Sequence, residues 1–472
     1  MPAMSPARQR QHTKRRRRRL RNVIRRFVKR DHTSPKILAL AALTGSLAGA
    51  ICAAFEFVAD YLIERRFDFL DQFEGWTLWL LAFAISALFG GIAMYLTHRF
   101  APEAGGSGIP EIEGALDDLR PVRWWRVIPV KFFGGSLSLS SGMILGREGP
   151  SVQIGGNVGR MVADLFKLPK DAGHALLAAG SAAGLSAAFN APLAGILFVL
   201  EEMRPQFRYS FLSVKAVSTA VILATVTRQL LLGTQPVFHL PHFATPHLST
   251  GGLYVLLGCL MGVIGYGFNR AVNRVQDTYL ALHRNQRSRV VALLMMVAGG
   301  FGVLSLYGQG FSGSGMHEIP VWITSPLPYE ALLLLLLWRL AGTLLCFCSG
   351  IPGGVFAPSL ALGTLCGAML GQLFSQLFPG LPIETGTFAI AGMGALFAAS
   401  VRAPVTGIVL VTEMTNNYGL ILPMMITTLC ATLVAQMLGG RPIYSQILER
   451  TLRLARQKTA AEAGQPGAAV NT

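Results

Sequence analysis

The sequence predicts an all-α polytopic membrane protein made of two related halves of interrupted helices. Three observations predict it. The chain of 472 residues is 52% hydrophobic and only 14% charged, whereas a soluble chain carries about a quarter charged residues. Uncharged runs cover 37–55, 75–97, 176–200, 229–269, 340–383 and 414–440, and about 20 apolar residues suffice to span a bilayer. Segments of the first half also recur, in order, in the second. The apolar runs lack the period-two alternation of a membrane β-barrel.

The first element is a basic segment, 1–32. The net charge of +17 is concentrated there: residues 1–30 hold 13 Lys/Arg and no acid, leaving +4 for the remainder. A nucleic-acid arm is one reading. The simpler one is a cytoplasmic segment that sets topology and leans on anionic lipid, because a membrane domain follows at once. Membrane lipid, not nucleic acid, is therefore the expected contact. Run 37–55 is long for a signal h-region and no cleavage site follows it, so it reads as the first span. With the N-terminus inside, the acidic loop 64–74 lies outside and span 75–97 returns. Arg120, Arg123, Arg126 and Lys131 then cluster on the cytoplasmic side, as the positive-inside rule requires.

The repeat is the next observation. "GSGIPEI" (106–112) recurs as "GSGMHEI" (313–319), an offset of 207. "GPSVQIG" (149–155) aligns with "APSLALG" (357–363), an offset of 208. "APLAGILFVLEE" (191–202) aligns with "APVTGIVLVTEM" (403–414), an offset of 212. Transporter folds often carry such internal repeats. The expected organisation is a first membrane repeat over 33–235, a Pro/His-rich loop over 236–250 and a second repeat over 251–440. A C-terminal helix and cytoplasmic tail follow over 441–472. The residues alone leave open whether the halves are parallel or inverted. Gly363, Gly367 and Gly371, spaced by four, suit close helix packing.

Six cysteines all fall in apolar runs, and only Cys346 and Cys348 are closely spaced. They read as inert buried thiols, with no metal site and no cofactor expected. Gly308, Gly310 and Gly313 match a dinucleotide fingerprint as text, but no βαβ context surrounds them. No Walker A motif and no nucleophile–base pair is present, so neither an ATP-driven pump nor an enzyme is expected.

The breaks carry the chemistry. "GGSGIPE", "GREGP", "FNAPLAG", "GIPGGVFAP" and "VRAPVTG" interrupt apolar segments. Non-helical backbone at membrane depth is tolerated only where it is buried in protein or lines a cavity. Such repeated breaks therefore point to one polar site. Helix N-termini present unpaired N–H groups and partial positive charge. Several converging would bind an anion without a buried Lys or Arg, and a formal cation would hold the ion too tightly for transport. At such a site Glu148 is a rival anion on a tether. Ionised, it occupies the site; protonated, it leaves and admits a free anion. The alternative is a Glu148 paired with Arg147 or stabilised by the helix dipole. Glu202 ends an apolar helix, and Arg204, Arg208 and Lys215 follow it. It reads as a proton entry point on the cytoplasmic side, or as a carboxylate bridged to Arg204 or Arg208. Glu201 aligns with Glu413, so those two read as structural partners. Glu111 and Glu113 read as a polar helix face.

"GSGIPE" (106–111), "GREGP" (146–150), "GIPGGVFAP" (350–358) and the late Tyr444 resemble the signature set of the ClC chloride channel and transporter family. The likeness covers about 35–450 and extends to its bacterial chloride/proton exchangers. It implies the ClC fold, two inverted-topology repeats of broken, tilted helices. It also implies a homodimer with one pore per subunit, multi-pass in a bacterial inner membrane, both termini cytoplasmic. On that pattern the Ser107 hydroxyl, the Tyr444 phenol and the backbone amides of Val355 and Phe356 would bind chloride. Glu148 would be the external gating glutamate and Glu202 the internal proton-transfer glutamate. The implied activity is chloride/proton antiport, with acid resistance as the setting; the alternative is a passive chloride channel. Glu202 favours antiport, because family channels usually lack an acid there. Ser107 is the chloride-selecting form, where a Pro would suggest nitrate. Ser314 reads as a relic of duplication.

Overall fold

The computed structural model describes residues 35–203, 210–283, 286–325 and 327–462. The basic segment 1–32, Arg204, Arg208 and the end of the tail lie outside the described residues. Among the described residues there are 17 α-helices, and the only β pairing is one isolated bridge.

Eight helices form the first half: α1 (Pro35–Leu70), α2 (Gly75–Phe100), α3 (Ile109–Leu116), α4 (Trp124–Ser140), α5 (Glu148–Leu165), α6 (Lys170–Phe189), α7 (Pro192–Glu201) and α8 (Phe211–Leu232). Eight more repeat the pattern: α9 (Gly251–His283), α10 (Arg287–Leu304), α11 (Ile319–Thr324), α12 (Tyr329–Phe347), α13 (Phe356–Leu377), α14 (Thr385–Val401), α15 (Pro404–Thr415) and α16 (Ile421–Met437). A last helix, α17 (Ile443–Glu462), returns to the first half and packs on α3. Nine segments among the described residues are long and apolar enough to cross a membrane. The chain is a multi-pass helical membrane protein.

The halves meet head to head. Gly146 and Gly354 form an antiparallel bridge, each N–H donating to the other's carbonyl at 2.7 Å. They precede α5 and α13, so those two helices start from the same place and diverge, as inverted halves require. The cross-links are exchanged as well. Gly106 N–H donates to Gly350 O at 3.0 Å, and Gly313 N–H donates to Gly142 O at 3.1 Å.

Small residues allow the central layers to close. α5 lies on α6, and α13 on α14, with backbones nearly touching. A Cβ on Gly155 would fall 2.1 Å from Gly180 O, and one on Gly363 would fall 2.5 Å from Gly392 O. The expected glycine seam of α13 is thus real, and α5 repeats it.

Run 176–200 breaks within "FNAPLAG" as expected, where Asn190 turns left-handed at φ 50° and Pro192 restarts the chain as α7. One expectation changes. The loop expected over 64–74 is mostly helix. α1 continues for 36 residues, about 54 Å at 1.5 Å per residue. It therefore carries Arg66 into the bundle, where the side chain is buried between Ser86 and Ser305.

Candidate anion site

Three of the breaks form one knot. The loop ahead of α3 is tied to the loop ahead of α13 through Gly106 and Gly350, and again by Gly353 N–H donating to Gly106 O at 3.1 Å. The loop ahead of α5 joins through the Gly146–Gly354 bridge. Three helix N-termini therefore open onto one buried place, and α17 brings a fourth with Tyr444 in its first turn.

The other two breaks do not join them. The N-terminus of α7 is occupied by Glu413, whose carboxylate accepts from Leu193 N at 3.0 Å and Ala194 N at 2.8 Å. That of α15 is occupied by Glu201, which accepts from Val405 N at 3.1 Å and Thr406 N at 2.7 Å. Glu201 and Glu413 are structural partners by exchange: each caps the other half's helix.

Ser107 sits in the knot, 3% exposed, and its hydroxyl has no protein partner. Gly108 at φ 87° turns the chain into α3, a conformation glycine adopts without strain. A Cβ on Gly149 would lie 2.4 Å from Ser107 Oγ, so that glycine leaves the hydroxyl its room. Tyr444 is fully buried, and its hydroxyl also lacks a partner. Its electrostatic neighbours are Glu202, Glu148 and Glu113, and the Ser107 side chain lies beside its phenol. The two hydroxyls are near enough to influence each other but make no hydrogen bond of normal geometry, and both stay unsatisfied unless a ligand meets them. Val355 is the N-cap of α13 and Phe356 its first residue, both buried. The Phe356 ring lies against those of Phe397, Phe189 and Phe198, at centroid distances of 4.4, 5.1 and 6.4 Å.

Glu148 starts α5 and is 1% exposed. It is not paired with Arg147, whose guanidinium is spent on Glu56 at 2.8 Å and Asp60 at 3.3 Å. Its Oε2 instead accepts from Ala357 N at 3.4 Å, in the first turn of α13. The tethered carboxylate therefore lies where an anion would meet that helix end.

Glu202 follows the last turn of α7 at 6% exposure, with Oε1 unpartnered. The expected alternative bridges to Arg204 and Arg208 fall outside the described residues. Glu111 is indeed a helix-face carboxylate, held by Arg120 at 2.7 and 2.9 Å. Glu113 is not. It is fully buried, neither oxygen has a partner, and it is an electrostatic neighbour of Glu202. Sequence reasoning passed over it because helical spacing from Glu111 does not show which side is packed.

Lys131 corrects two expectations. It is not part of the basic surface cluster, and the site is not free of fixed cations. Its fully buried ammonium donates to Ala104 O at 2.9 Å and Gly106 O at 2.6 Å. The charge stands behind the Ser107 loop and is spent on carbonyls. Arg339 does the same for the second copy, donating to Gly310 O at 3.2 Å and Gly313 O at 3.0 Å. The textual nucleotide fingerprint is this Arg339-held loop. The six cysteines are unpaired thiols.

Fold and site together define a class: a broken-helix membrane transporter with inverted halves and buried carboxylates near converging helix ends. Comparisons with known proteins agree. The family described as voltage gated chloride channel matches residues 89–436, and this chain belongs to that family. It is 54% identical to the H(+)/Cl(-) exchange transporter ClcA of Vibrio cholerae, covering 92% of this chain and 93% of that one. Identity to the same-named transporter of Cronobacter sakazakii is 52%, covering 94% and 96%. The solved structure of a slow cyanobacterial Cl-/H+ antiporter superposes with a TM-score of 0.84 at 38% identity, covering 89% of this chain and 98% of that one. A CLC-type fluoride/proton antiporter shares the fold, with a TM-score of 0.71 at 22% identity, covering 87% and 96%.

Proposed function

We infer that the chain is a proton-coupled chloride antiporter, exchanging chloride for protons across the membrane. The observation that carries the reading is Glu148, a buried carboxylate at the N-terminus of the α13 half-helix where an anion would bind. The carboxylate and chloride compete for one electropositive place. A proton on Glu148 removes its attraction to the α13 amides and lets chloride in; loss of the proton brings the carboxylate back. Each exchange of occupant moves a proton one way and an anion the other.

Ser107, Tyr444 and the amides of Val355 and Phe356 hold the central chloride. Both orphaned hydroxyls then have an acceptor ion. Glu202 receives the proton from the opposite side, with Glu113 beside it. Two buried carboxylates are costly together unless a proton is shared between them, which suits a relay. The passive channel remains the second reading of the fold, and the buried Glu202 weighs against it.

In the cell the protein sits in a bacterial inner membrane as a homodimer among lipids, both termini cytoplasmic. The Glu148 face is then outside and the Glu202 face inside, and acid resistance is the proposed setting. The dimer is proposed from the family likeness, and the exposed apolar side chains of the long helices suit contact with lipid or a second copy.

The test is reconstitution in liposomes with an imposed chloride gradient and external pH followed. Protons moving uphill on the chloride gradient are expected. Chloride flux without any proton movement would establish the channel instead.

A further inference from the structure

The second copy of the serine loop has retained its architecture. Gly315 turns at φ 87°, the value Gly108 has in the first copy. Arg339 backs it as Lys131 backs the first. The Ser107 loop borders a cavity of about 400 Å³, on the inner side in the proposed orientation. The Ser314 loop borders one of about 440 Å³, shared with Arg66, Phe67 and Arg147, on the outer side in the same orientation. The halves are inverted, so these two cavities are counterparts.

We propose that the outer cavity is a second anion site, where chloride docks between the Arg66 guanidinium and the Ser314 hydroxyl before reaching the Glu148 gate.

Arg66 is the main reason. It is 4% exposed. Its Nη1 donates to Ser86 Oγ at 2.8 Å and its Nη2 to Ser305 Oγ at 2.9 Å. Nε has no partner, and among the described residues no carboxylate pairs with it. Two hydroxyls bind the guanidinium without neutralising it, and a buried charge lacking a counter-ion is expensive.

The other charges around the cavity are accounted for. Arg147 is held by Glu56 and Asp60, and Arg228 reaches Glu56 at 3.5 Å. Glu318 acts on Arg339 across the loop. Glu64 and His317 are exposed to solvent. Arg66 is thus the cation among them with no acid of its own.

Ser314 lies close by through the backbone. A Cβ on Gly142 would come within 3.2 Å of Arg66 Nη1, and Gly142 O accepts the Gly313 N–H. Ser314 Oγ accepts from Met316 N at 3.4 Å, which leaves its own proton to donate. Both Arg66 Nη groups already donate to serines, and Glu56, Asp60 and Glu318 line the same cavity, so the pull of this formal cation is moderated and an ion docked there is still free to move on.

The choice of ion rests on the antiport reading, so binding and transport are tested separately. Crystals of the full chain soaked in bromide should show an anomalous peak between Arg66 and Ser314. The peak should vanish in Arg66→Gln. In liposomes assayed from each side, Arg66→Gln should raise the outer half-saturating chloride concentration about tenfold relative to the inner, the loss of one charge-assisted contact. Ser314→Ala should raise it severalfold, and Arg66→Lys should preserve much of the affinity. A wild-type crystal without bromide at this place overturns the proposal. So does an unchanged outer half-saturation in Arg66→Gln or, should that variant not fold, in Ser314→Ala. Bromide bound here in a protein that moves no protons would sink the antiport reading and leave the site standing.

Discussion

At the scale of single residues, the proposed mechanism divides the proton's work between two carboxylates. Glu148 faces the α13 amides, and Glu202 lies at the other end of the buried path, with Tyr444 an electrostatic neighbour of both. Replacing Glu148 by Gln removes the titrating group while keeping its shape. Chloride flux should persist in liposomes while gradient-driven proton movement falls to background. Glu202→Gln should also abolish proton movement, by removing the inner acceptor rather than the gate. Proton pumping that survives Glu148→Gln would dismiss that residue as the coupling group. Both acids stood out in the sequence, because each lies at a break or end of an apolar run. Glu113 and Lys131 did not, since nothing in their local pattern announces complete burial. The repeat did hold a clue: Lys131 and Arg339 are 208 residues apart, the same register as the motifs.

At the scale of elements, the exchanged caps are the clearest device. Glu201, at the end of α7, satisfies the first amides of α15 and also accepts from Thr406 Oγ at 2.8 Å. Glu413 returns the contact to α7. Glu201→Ala should destabilise the fold by about 1–2 kcal/mol, as loss of a carboxylate cap does, and lower Tm in detergent. A Tm equal to wild type would show that water replaces the carboxylate without loss. The sequence aligned the two glutamates but could not show that each reaches across to the other's helix, which only the inverted packing arranges. A second element-level contact lies outside the spans. Asp118, in the exposed turn after α3, accepts from Lys170 at 2.7 Å at the start of α6. The Lys170 hydrogen bond, with His174 next, holds its carboxyl below the usual range. A depressed folded pKa stabilises the folded state above the unfolded value, and that contribution is lost as pH falls through the folded one. Asp118→Asn should therefore flatten the stability curve below about pH 4, as followed by acid titration in detergent. A wild-type acid limb in that variant would show that this turn does not contribute.

At the scale of the whole molecule, duplication explains both what could be read and what could not. Motif order and near-constant offset revealed two halves. The direction of the second half became visible only where Gly146 and Gly354 pair antiparallel and α5 and α13 diverge from that point. Inversion is what brings several positive helix ends to one place, since the halves start their half-helices toward each other. One chain alone supplies the groups proposed for that place: Ser107 and Glu148 from the first half, Val355 and Phe356 from the second, Tyr444 from α17. A dimer of such chains should contain two complete pathways rather than one shared pathway. Independent sites add. A mixed dimer carrying Glu148→Gln in one subunit should therefore keep about half the wild-type proton flux, with chloride flux through both subunits. Purified heterodimers with distinguishable tags, reconstituted at low protein-to-lipid ratio, provide the measurement. Complete loss of proton movement from one altered subunit would mean that the two gates act as a unit, and the self-contained pathway would have to be abandoned.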